Sequence, residues 1–395
     1  MKARKIYLDN NATTQVAPEV LEEMLPFFKE RYGNPSSMYT FGGDVHQDLD
    51  RARERMADLL NCHPTEVVFT SCGSESDNHA IRGLVDAYPE KGHVITTKVE
   101  HPAVKNQVPY LRRKGLQVTE LGVDARGNLD LEELQDAITA NTLLISVIFA
   151  NNETGVISPL EEICRIAKER GVFVHTDAVQ AVGKVPLDMQ KLPVDLLSFS
   201  GHKFHAPKGI GGLFIRRGLK IRPFIIGGHQ ERSRRGGTES MPLIVGMGRA
   251  AELVGGKLED EDTRVRALRD KLESGILSQI ADTEVNGDPN SRVPNTTNIG
   301  IHFIEGEALL LAMDKQGICA STGSACASGS LQPSHVLRAM GVPFTSIHGS
   351  VRFSLSTYNT EEDVDYVLEV LPGIVDHLRD LSPFHSMADV EAFGA

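Results

Sequence analysis

The stretch that decides the fold runs from residue 172 to residue 203 and reads VFVHTDAVQAVGKVPLDMQKLPVDLLSFSGHK. It contains two short apolar runs, Val172–Val174 and Leu196–Leu197, and each leads directly into polar, chemically capable residues. Asp177 follows the first run and Lys203 follows the second. Short apolar runs separated by turn signals are typical of buried strands in a parallel sheet. This stretch therefore predicts parallel strands with reactive side chains at their carboxyl ends.

The same rhythm extends on both sides of this stretch. Apolar runs at 67–69, 94–95 and 142–150 lead to the polar groups SCGSES (71–76), His101 and NNE (151–153), and a helical spacing fills 160–170. This alternation predicts an α/β fold whose mostly parallel central sheet carries helices on both faces. Ligands of open α/β sheets bind beyond the carboxyl ends of the strands, so we expect His101, Asn152, Asp177 and Lys203 to meet in one crevice.

The character of the chain changes after residue 255. Residues 257–280 have the pattern of a charged amphipathic helix, 286–298 are rich in Pro and Asn, and 350–355 are strand-like. A chain of 395 residues usually forms more than one domain. We predict a large domain at residues 15–256 and a smaller α+β domain formed by 1–14 and 257–395.

Composition limits the classes of partner. The net charge is −12, which disfavours nucleic acid or an anionic membrane surface as the main partner. No apolar run has the length of a membrane span or the form of a signal peptide, so we expect a cytoplasmic protein. Five cysteines without a CxxC pair argue against a disulfide framework and a structural zinc site, and we predict no metal.

Lys203 is the candidate anchor for a carbonyl cofactor. A lysine amine forms a Schiff base when it is partly desolvated and held near a carbonyl. Taken alone, Lys203 is equally compatible with a surface lysine, and Lys208 is a nearby competitor. Asp177 has the chemistry to keep the ring nitrogen of pyridoxal phosphate (PLP) protonated, although aspartate is also a common helix N-cap.

Two further segments suit the same cofactor. SCGSES (71–76) lies between a strand and a helix, where backbone N–H groups bind phosphate, but it is also an ordinary capping turn. No GKS or GKT follows, which argues against a Walker loop. His101 has the chemistry to stack on a flat ring or to transfer protons, and it is equally compatible with a hydrogen-bonded loop histidine.

Three candidates lie in the second half of the chain. Cys326 is flanked by small residues in GSACASGS (323–330), which favours an exposed nucleophilic thiol over a buried one; the other four cysteines fit structural roles better. Arg352 suits a substrate carboxylate or a surface ion pair. The basic run RSRRGGT (232–238) either approaches a phosphate or is simply solvated.

Taken together, the motifs resemble the NifS/IscS-type cysteine desulfurases, which are class V aminotransferase-fold PLP enzymes of fold type I. The matching segments are YLDNNATT (7–14), YGNPSS (32–37), FTSCGSESDN (69–78), VEHPAV (99–104), NNETG (151–155), HTDAVQAVGK (175–184), SFSGHK (198–203), GGHQERSRRGGTE (227–239), GSACASGS (323–330) and VRFSLS (351–356). They span nearly the whole chain in the family's order. The segments FTSCGSESDN and GHKFHAPKG and the C-terminal ending resemble NifS more than IscS, and GSACASGS resembles the long-loop group.

The resemblance implies a role for each matching position. It implies PLP held as a Schiff base on Lys203, with His101 over the ring and Asp177 at its nitrogen. Arg352 would bind the cysteine carboxylate, and Asn152 would also contact the substrate. The remaining positions would hold the ring oxygen region (Asn152, Gln180), the phosphate (Gly73, Ser74, Ser200, His202) and the phosphate of the partner subunit's cofactor (Thr238). The implied enzyme is a homodimer with shared sites that converts L-cysteine to L-alanine and leaves sulfur on Cys326 as a persulfide. An iron–sulfur scaffold protein would accept this sulfur, and nitrogen fixation is the implied context.

Two rival interpretations remain open on sequence alone. One is another fold-type I PLP enzyme, such as an aminotransferase or a selenocysteine lyase; an aminotransferase has no need of a thiol at Cys326. The other is a non-catalytic sulfur carrier or scaffold, which would need no Schiff base on Lys203.

Overall fold

The computed structural model describes residues 5–322 and 333–384. The strands are β1 (Ile6–Tyr7), β2 (Val67–Thr70), β3 (His93–Thr97), β4 (Gln117–Leu121), β5 (Thr142–Ile148), β6 (Phe173–Asp177), β7 (Leu196–Ser200), β8 (Gly211–Ile215), β9 (Thr283–Val285), β10 (Thr296–Ile301), β11 (Ile318–Cys319), β12 (Ser321–Thr322) and β13 (Ser350–Ser354).

The helices of the described residues are α1 (Pro18–Met24), α2 (Pro26–Lys29), α3 (Thr40–Leu60), α4 (Gly73–Ala87), α5 (Pro102–Lys105), α6 (Val108–Arg113), α7 (Leu131–Ala137), α8 (Leu160–Glu169), α9 (Gln230–Ser233), α10 (Met241–Gly255), α11 (Leu258–Asp260), α12 (Arg266–Gln279), α13 (Gly306–Lys315), α14 (His335–Ala339), α15 (Phe344–Ile347) and α16 (Glu361–Leu381). Short 3₁₀ turns occupy Pro64–Glu66 and Gly201–Lys203, and a π-helical segment occupies Glu261–Val265.

The large sheet has the strand order β2-β8-β7-β6-β5-β3-β4. Its neighbours from β7 to β4 pair in parallel, and β8 pairs antiparallel with both β2 and β7. All seven residues of β5 are buried, and its neighbouring side chains Leu144 and Ile145 belong to two different apolar cores. Helices therefore cover both faces of the sheet, and the predicted α/β fold class with a mostly parallel sheet is confirmed.

A smaller four-stranded sheet, β12-β13-β10-β9, packs with α12, α13 and α16 around its own apolar core. The N-terminal strand β1 joins this region, because Ile6 pairs in parallel with Ile318 of β11. The predicted smaller α+β part of the fold is thus present. The domain boundary at residues 256 and 257 stays a prediction.

The amphipathic helix predicted at 257–280 is not one continuous α-helix. It is divided into α11, the π-helical segment Glu261–Val265 and α12. A π-turn widens the helix by one residue and is common near functional sites. The π-turn of this chain contains Glu261, which is only 6% exposed. On the polar face of a regular amphipathic α-helix, such a carboxylate would lie in solvent. No helix of the described residues has the length and apolarity needed to cross a membrane.

Candidate active site

One cavity lies at the carboxyl edge of the large sheet. Ten of the residues singled out in the sequence line it, namely Gly73, Ser74, His101, Asn152, Asp177, Gln180, Ser200, His202, Lys203 and Arg352. These residues follow six different strands of the two sheets or lie on them, and parallel strands bring their carboxyl ends to the same edge. The crevice expected from the sequence is therefore present.

Lys203 ends the 3₁₀ turn that follows β7 directly. Its Nζ donates hydrogen bonds to the backbone carbonyls of Asn11 at 2.5 Å and Ala12 at 2.8 Å. Its competitor Lys208 is exposed and lines a different cavity. Among residues 5–322 and 333–384, Lys203 is the one lysine that lines the central cavity, where its amine could meet a carbonyl group.

Asp177 and His101 form the next part of the cavity. Asp177 ends β6, and one of its carboxylate oxygens accepts the N–H of Val179 at 2.9 Å. Burial raises the pKa of Asp177, with His101 acting in the opposite direction. His101 precedes α5, and its Nδ1 accepts the N–H of Ala103 at 3.1 Å, so the neutral ring carries its proton on Nε2. Burial lowers the pKa of His101. A carboxylate this deeply buried is stabilised by a cationic partner such as a protonated ring nitrogen.

The part of the cavity at the start of α4 has the features of a phosphate site. The fifteen-residue helix α4 begins at Gly73, where its first N–H groups have no partner within the helix. A Cβ at Gly73 would lie 2.7 Å from the side chain of Val179, so only glycine fits this approach. The buried Ser200 hydroxyl has no hydrogen-bond partner among the described residues. These donors suit an anionic group.

Arg352 on β13 forms the small-sheet wall of the cavity. Its guanidinium donates to the backbone carbonyl of Asn152 at 2.8 Å and to the carboxylate of Asp9 at 2.7 Å. The side-chain oxygen of Asn152 is buried, and no donor in the described parts of the chain reaches it. A planar guanidinium held by a neighbouring carboxylate is pre-oriented for a bidentate ligand.

These features pass the test of fit for PLP. The cavity offers an amine for the aldehyde, a buried carboxylate for the ring nitrogen, and backbone and hydroxyl donors for the phosphate. Asp77, His101 and Asp177 also place one ligand atom each within 4.8 Å of one another, a spacing compatible with a metal ion. The chemistry of PLP accounts for Asp177 and His101 without a metal, and the expectation of no metal stays a prediction.

Four polar residues that line or support the cavity had no site role assigned from the sequence: Asn11, Cys72, Asp77 and Lys184. The carbonyl of Asn11 accepts from Lys203, and its side chain accepts from Lys184 at 2.9 Å. Cys72 was assigned a structural role, yet it lines the cavity at the N-cap of α4. Asn11, Asp77 and Lys184 all lie inside motifs quoted above, so the motif itself was the signal for them.

The described contacts of the basic run at 232–238 are with its own chain, and its approach to a phosphate stays a prediction. Arg235 pairs with Glu75 at 2.9 Å, and Arg234 donates to the carbonyl of Thr65. Neighbouring Glu231 is buried and pairs with Arg53 at 2.7 Å, although Glu231 and Arg232 adopt left-handed backbone angles. Thr238 is exposed and does not line the cavity of its own chain. The run is thus a tightly held loop on the surface.

Cys326 lies outside the described residues, so its predicted role stays a prediction. The described residues on both sides of its segment contact residues near the cavity. Thr322 pairs with Val351 beside Arg352, and Ser334 donates to the buried carboxylate of Glu153. Among the other cysteines, burial raises the pKa of Cys62 and of Cys164 to about 12 and raises that of Cys319. Their thiols therefore stay protonated and weakly nucleophilic at neutral pH.

Comparison with known proteins agrees with this geometry. The aminotransferase class-V family model matches residues 6–367. A cysteine desulfurase of Trichormus azollae is 58% identical over 96% of this chain and 95% of its own. The cysteine desulfurase NifS of Azotobacter vinelandii is 53% identical over the same shares. A solved structure of a NifS-like protein has a TM-score of 0.90 and 41% identity, covering 95% of this chain and all of its own.

The fold and the cavity define a PLP-dependent enzyme of fold type I. The chain belongs to the aminotransferase class-V family, and within it to the cysteine desulfurases.

Proposed function

We propose that this enzyme transfers sulfur from L-cysteine to its own Cys326, releases L-alanine, and supplies the sulfur for iron–sulfur cluster assembly. The observation that carries the proposal is the single cavity that brings the Lys203 amine, the Asp177 carboxylate and the Arg352 guanidinium together. An amine alone would suit many PLP enzymes, and the cysteine desulfurase relatives favour cysteine as the substrate.

Each residue has a distinct task in this proposal. Bound PLP would supply an electron sink conjugated to the substrate carbon atoms. Lys203 anchors the cofactor and then holds the proton that leaves the substrate α-carbon. Asp177 keeps the ring nitrogen protonated, His101 covers the ring, and Arg352 binds the substrate carboxylate.

The sulfur transfer step conserves atoms and electrons. The thiolate of Cys326 attacks the substrate sulfur, so an S–S bond forms while the Cβ–S bond of cysteine breaks. The electron pair of the broken bond stays with the substrate carbon, which is then protonated and leaves as alanine. The net result is L-cysteine plus an enzyme thiol giving L-alanine plus an enzyme persulfide.

The direct test measures alanine and persulfide from the purified wild-type holoenzyme. We expect one alanine per Cys326 in a single turnover without reductant, and continuous alanine and sulfide formation when a thiol reductant is added. Transamination is the competing outcome: pyruvate or another keto acid, formed with loss of the cofactor's aldehyde form, would contradict the desulfurase proposal.

A variant arm of the same assay tests the carboxylate site. We expect Arg352→Ala to raise KM for cysteine by roughly tenfold to a hundredfold, because a charge-assisted pair to the substrate is lost. The cofactor absorbance should stay. Arg266→Ala is the matched control, since among the described residues that arginine pairs with Asp262 of the preceding π-helical segment, away from the cavity. An unchanged KM in Arg352→Ala would remove this residue from the substrate site.

A homodimer with shared sites is part of the proposal. Thr238 is exposed and lies outside its own cavity, which leaves it free to reach a partner's cofactor. Beside its loop, Ile226 is 86% exposed, and Gly236 donates to the neighbouring carbonyl of Ile225. Met38 and Tyr32 add further exposed apolar area, 104% and 71%. Apolar surface of this kind commonly marks an interface between subunits.

Sedimentation of single variants tests this interface. The wild type should sediment at twice the chain mass, and Ile226→Asp should shift it to the monomer because a charge would be buried between subunits. Leu311→Asp, which alters a similarly exposed apolar residue on α13, should remain dimeric. A monomeric wild type that retains full activity would overturn the shared-site proposal.

The finer context is also proposed. Resemblance to NifS, at 53% identity, supports sulfur supply to nitrogenase clusters through a scaffold protein in the cytoplasm. A strain that lacks this gene decides the point. Its growth on dinitrogen as the sole nitrogen source should fall, while its growth on ammonium continues. Equal loss of both kinds of growth would indicate general cluster assembly instead.

A further inference from the structure

A second lysine, Lys184, is buried directly behind the cofactor site. It follows Gly183, whose positive φ of 78° turns the chain inward, and a Cβ at Gly183 would lie 2.8 Å from Cβ of Phe204. Lys184 is 5% exposed, and its Nζ donates to the side-chain oxygen of Gln180 at 2.5 Å and to that of Asn11 at 2.9 Å. A buried amine with specific partners needs a reason, because burial of a charge is costly.

These contacts determine which way the Gln180 amide points. The Lys184 amine donates to the oxygen of Gln180, and in its charged form it only donates, so the charged form requires this oxygen to face Lys184. The NH₂ group is thereby directed to the carbonyl of Asn11, at 2.9 Å, at the edge of the cavity that Gln180 lines. The same carbonyl accepts the Nζ of Lys203. Lys184, Gln180 and Lys203 are therefore linked through one residue.

The charges around Lys184 are unevenly distributed. Lys203, Arg352, His202 and His205 are its basic neighbours, and Glu261 from the π-helical segment is its acidic neighbour. One oxygen of Glu261 is buried with no hydrogen-bond partner in residues 5–322 and 333–384. Burial lowers the pKa of Lys184 to about 7 and raises that of Glu261 to about 7. The π-turn thus brings a compensating carboxyl group to an amine that sits beside the cofactor lysine.

We propose that Lys184 is a positioning residue with two effects. It holds the Gln180 amide with its N–H groups toward the ring oxygen of the cofactor. Its positive charge also opposes protonation of the Lys203 nitrogen in the covalent linkage to the cofactor. The inference rests on the proposed function, in which Gln180 contacts that oxygen. Both effects act in one direction. A hydrogen-bond donor to the ring oxygen stabilises the anionic form of that oxygen. The positive charge of Lys184 disfavours a second positive charge on the nearby Lys203 nitrogen. Each makes the Lys203 nitrogen lose its proton at lower pH.

The test is a pH titration of the visible absorbance of the holoenzyme, without substrate. The band of the protonated linkage disappears as pH rises, and its midpoint reports the proton affinity of the Lys203 nitrogen. We expect Lys184→Met to raise this midpoint by at least about one pH unit, a tenfold change in proton affinity. Lys184→Arg, which keeps the charge and the donors, should restore a midpoint near that of the wild type.

The matched control is Asn295→Ala. Asn295 donates to the same Asn11 side-chain oxygen, at 3.2 Å, but does not contact Gln180. Its loss should leave the midpoint within about 0.3 units, a twofold change in proton affinity. An equal shift in Asn295→Ala would show that loosening of Asn11 is the cause and would overturn the role of Lys184.

The other outcomes are equally decisive. An unchanged midpoint in Lys184→Met overturns the inference but leaves the proposed function intact. Absence of any visible band in the PLP-treated wild type overturns the proposed function instead. If Lys184→Met is recovered only as insoluble protein, Lys184→Gln provides the test with the same expected direction, because the positive charge is again removed.

Discussion

Lys203→Ala is expected to abolish the absorbance band of the covalent lysine–cofactor linkage in the holoenzyme and to lower alanine formation from cysteine by at least about a thousandfold. In the described part of the chain Lys203 is the one lysine that lines the cavity, within reach of a bound aldehyde. Its loss removes both the covalent anchor and the group proposed to take the α-proton, and proton transfer by a positioned side chain alone contributes about 10²–10⁴-fold. Absorbance spectra and an alanine assay on the same preparation measure the two effects.

The control for this variant is Lys208→Ala. Lys208 is exposed and five residues away, so its loss removes a similar charge from the same segment without entering the cavity. It should keep the band and at least half of the activity. PLP should still bind Lys203→Ala without a covalent bond, because the donors at the start of α4 are unchanged. A visible band that persists in Lys203→Ala and disappears in Lys208→Ala would reverse the assignment.

Cys326→Ala is the variant with the second large effect. We expect it to keep the visible band and the ability to bind cysteine, and to lose persulfide and sulfide formation by at least about a hundredfold. The cofactor can be loaded without this thiol, but the substrate sulfur then has no nucleophile to accept it. Radiolabelled cysteine, followed by non-reducing separation, measures the sulfur retained by the protein.

Two other cysteines provide matched controls. Cys319→Ala removes a thiol only seven residues earlier, whose raised pKa keeps it protonated, and it should be fully active. Cys72→Ala is the more searching control, because Cys72 lines the cavity itself. Full sulfur transfer by Cys326→Ala together with its loss in Cys72→Ala would make Cys72 the acceptor and remove Cys326 from the mechanism.

Much of the fold could be predicted because its strands are short, apolar and followed by polar turns. The run at 142–150 predicted a buried strand, and β5 is buried along its whole length. Position along parallel strands also predicted which side chains would meet, as Asp177 and Lys203 do. Periodicity could not show the π-turn at Glu261, since the inserted residue leaves the amphipathic pattern of 257–280 almost unchanged.

The supporting residues of the site were harder to foresee. Asn11 and Lys184 lie more than 170 positions apart, and the hydrogen bond between them depends on the N-terminal segment crossing the carboxyl edge of the sheet. Hydropathy and periodicity do not distinguish a buried lysine such as Lys184 from an exposed one such as Lys208, and only the motif HTDAVQAVGK (175–184) draws attention to Lys184. The left-handed backbone at Glu231 is similarly hidden, because it is stabilised by a distant partner, Arg53.

The described residue on the N-terminal side of the Cys326 segment limits the distance over which the proposed sulfur transfer can occur. Thr322 is held by its pairing with Val351, and Cys326 follows it by four residues. A chain extends by at most about 3.6 Å per residue, which keeps the Cα of Cys326 within about 14 Å of the Cα of Thr322. Under the proposed function, an acceptor protein would have to bring its receiving group within reach of a cysteine side chain that starts inside this sphere. Its docking position would then be limited by the edge of the small sheet.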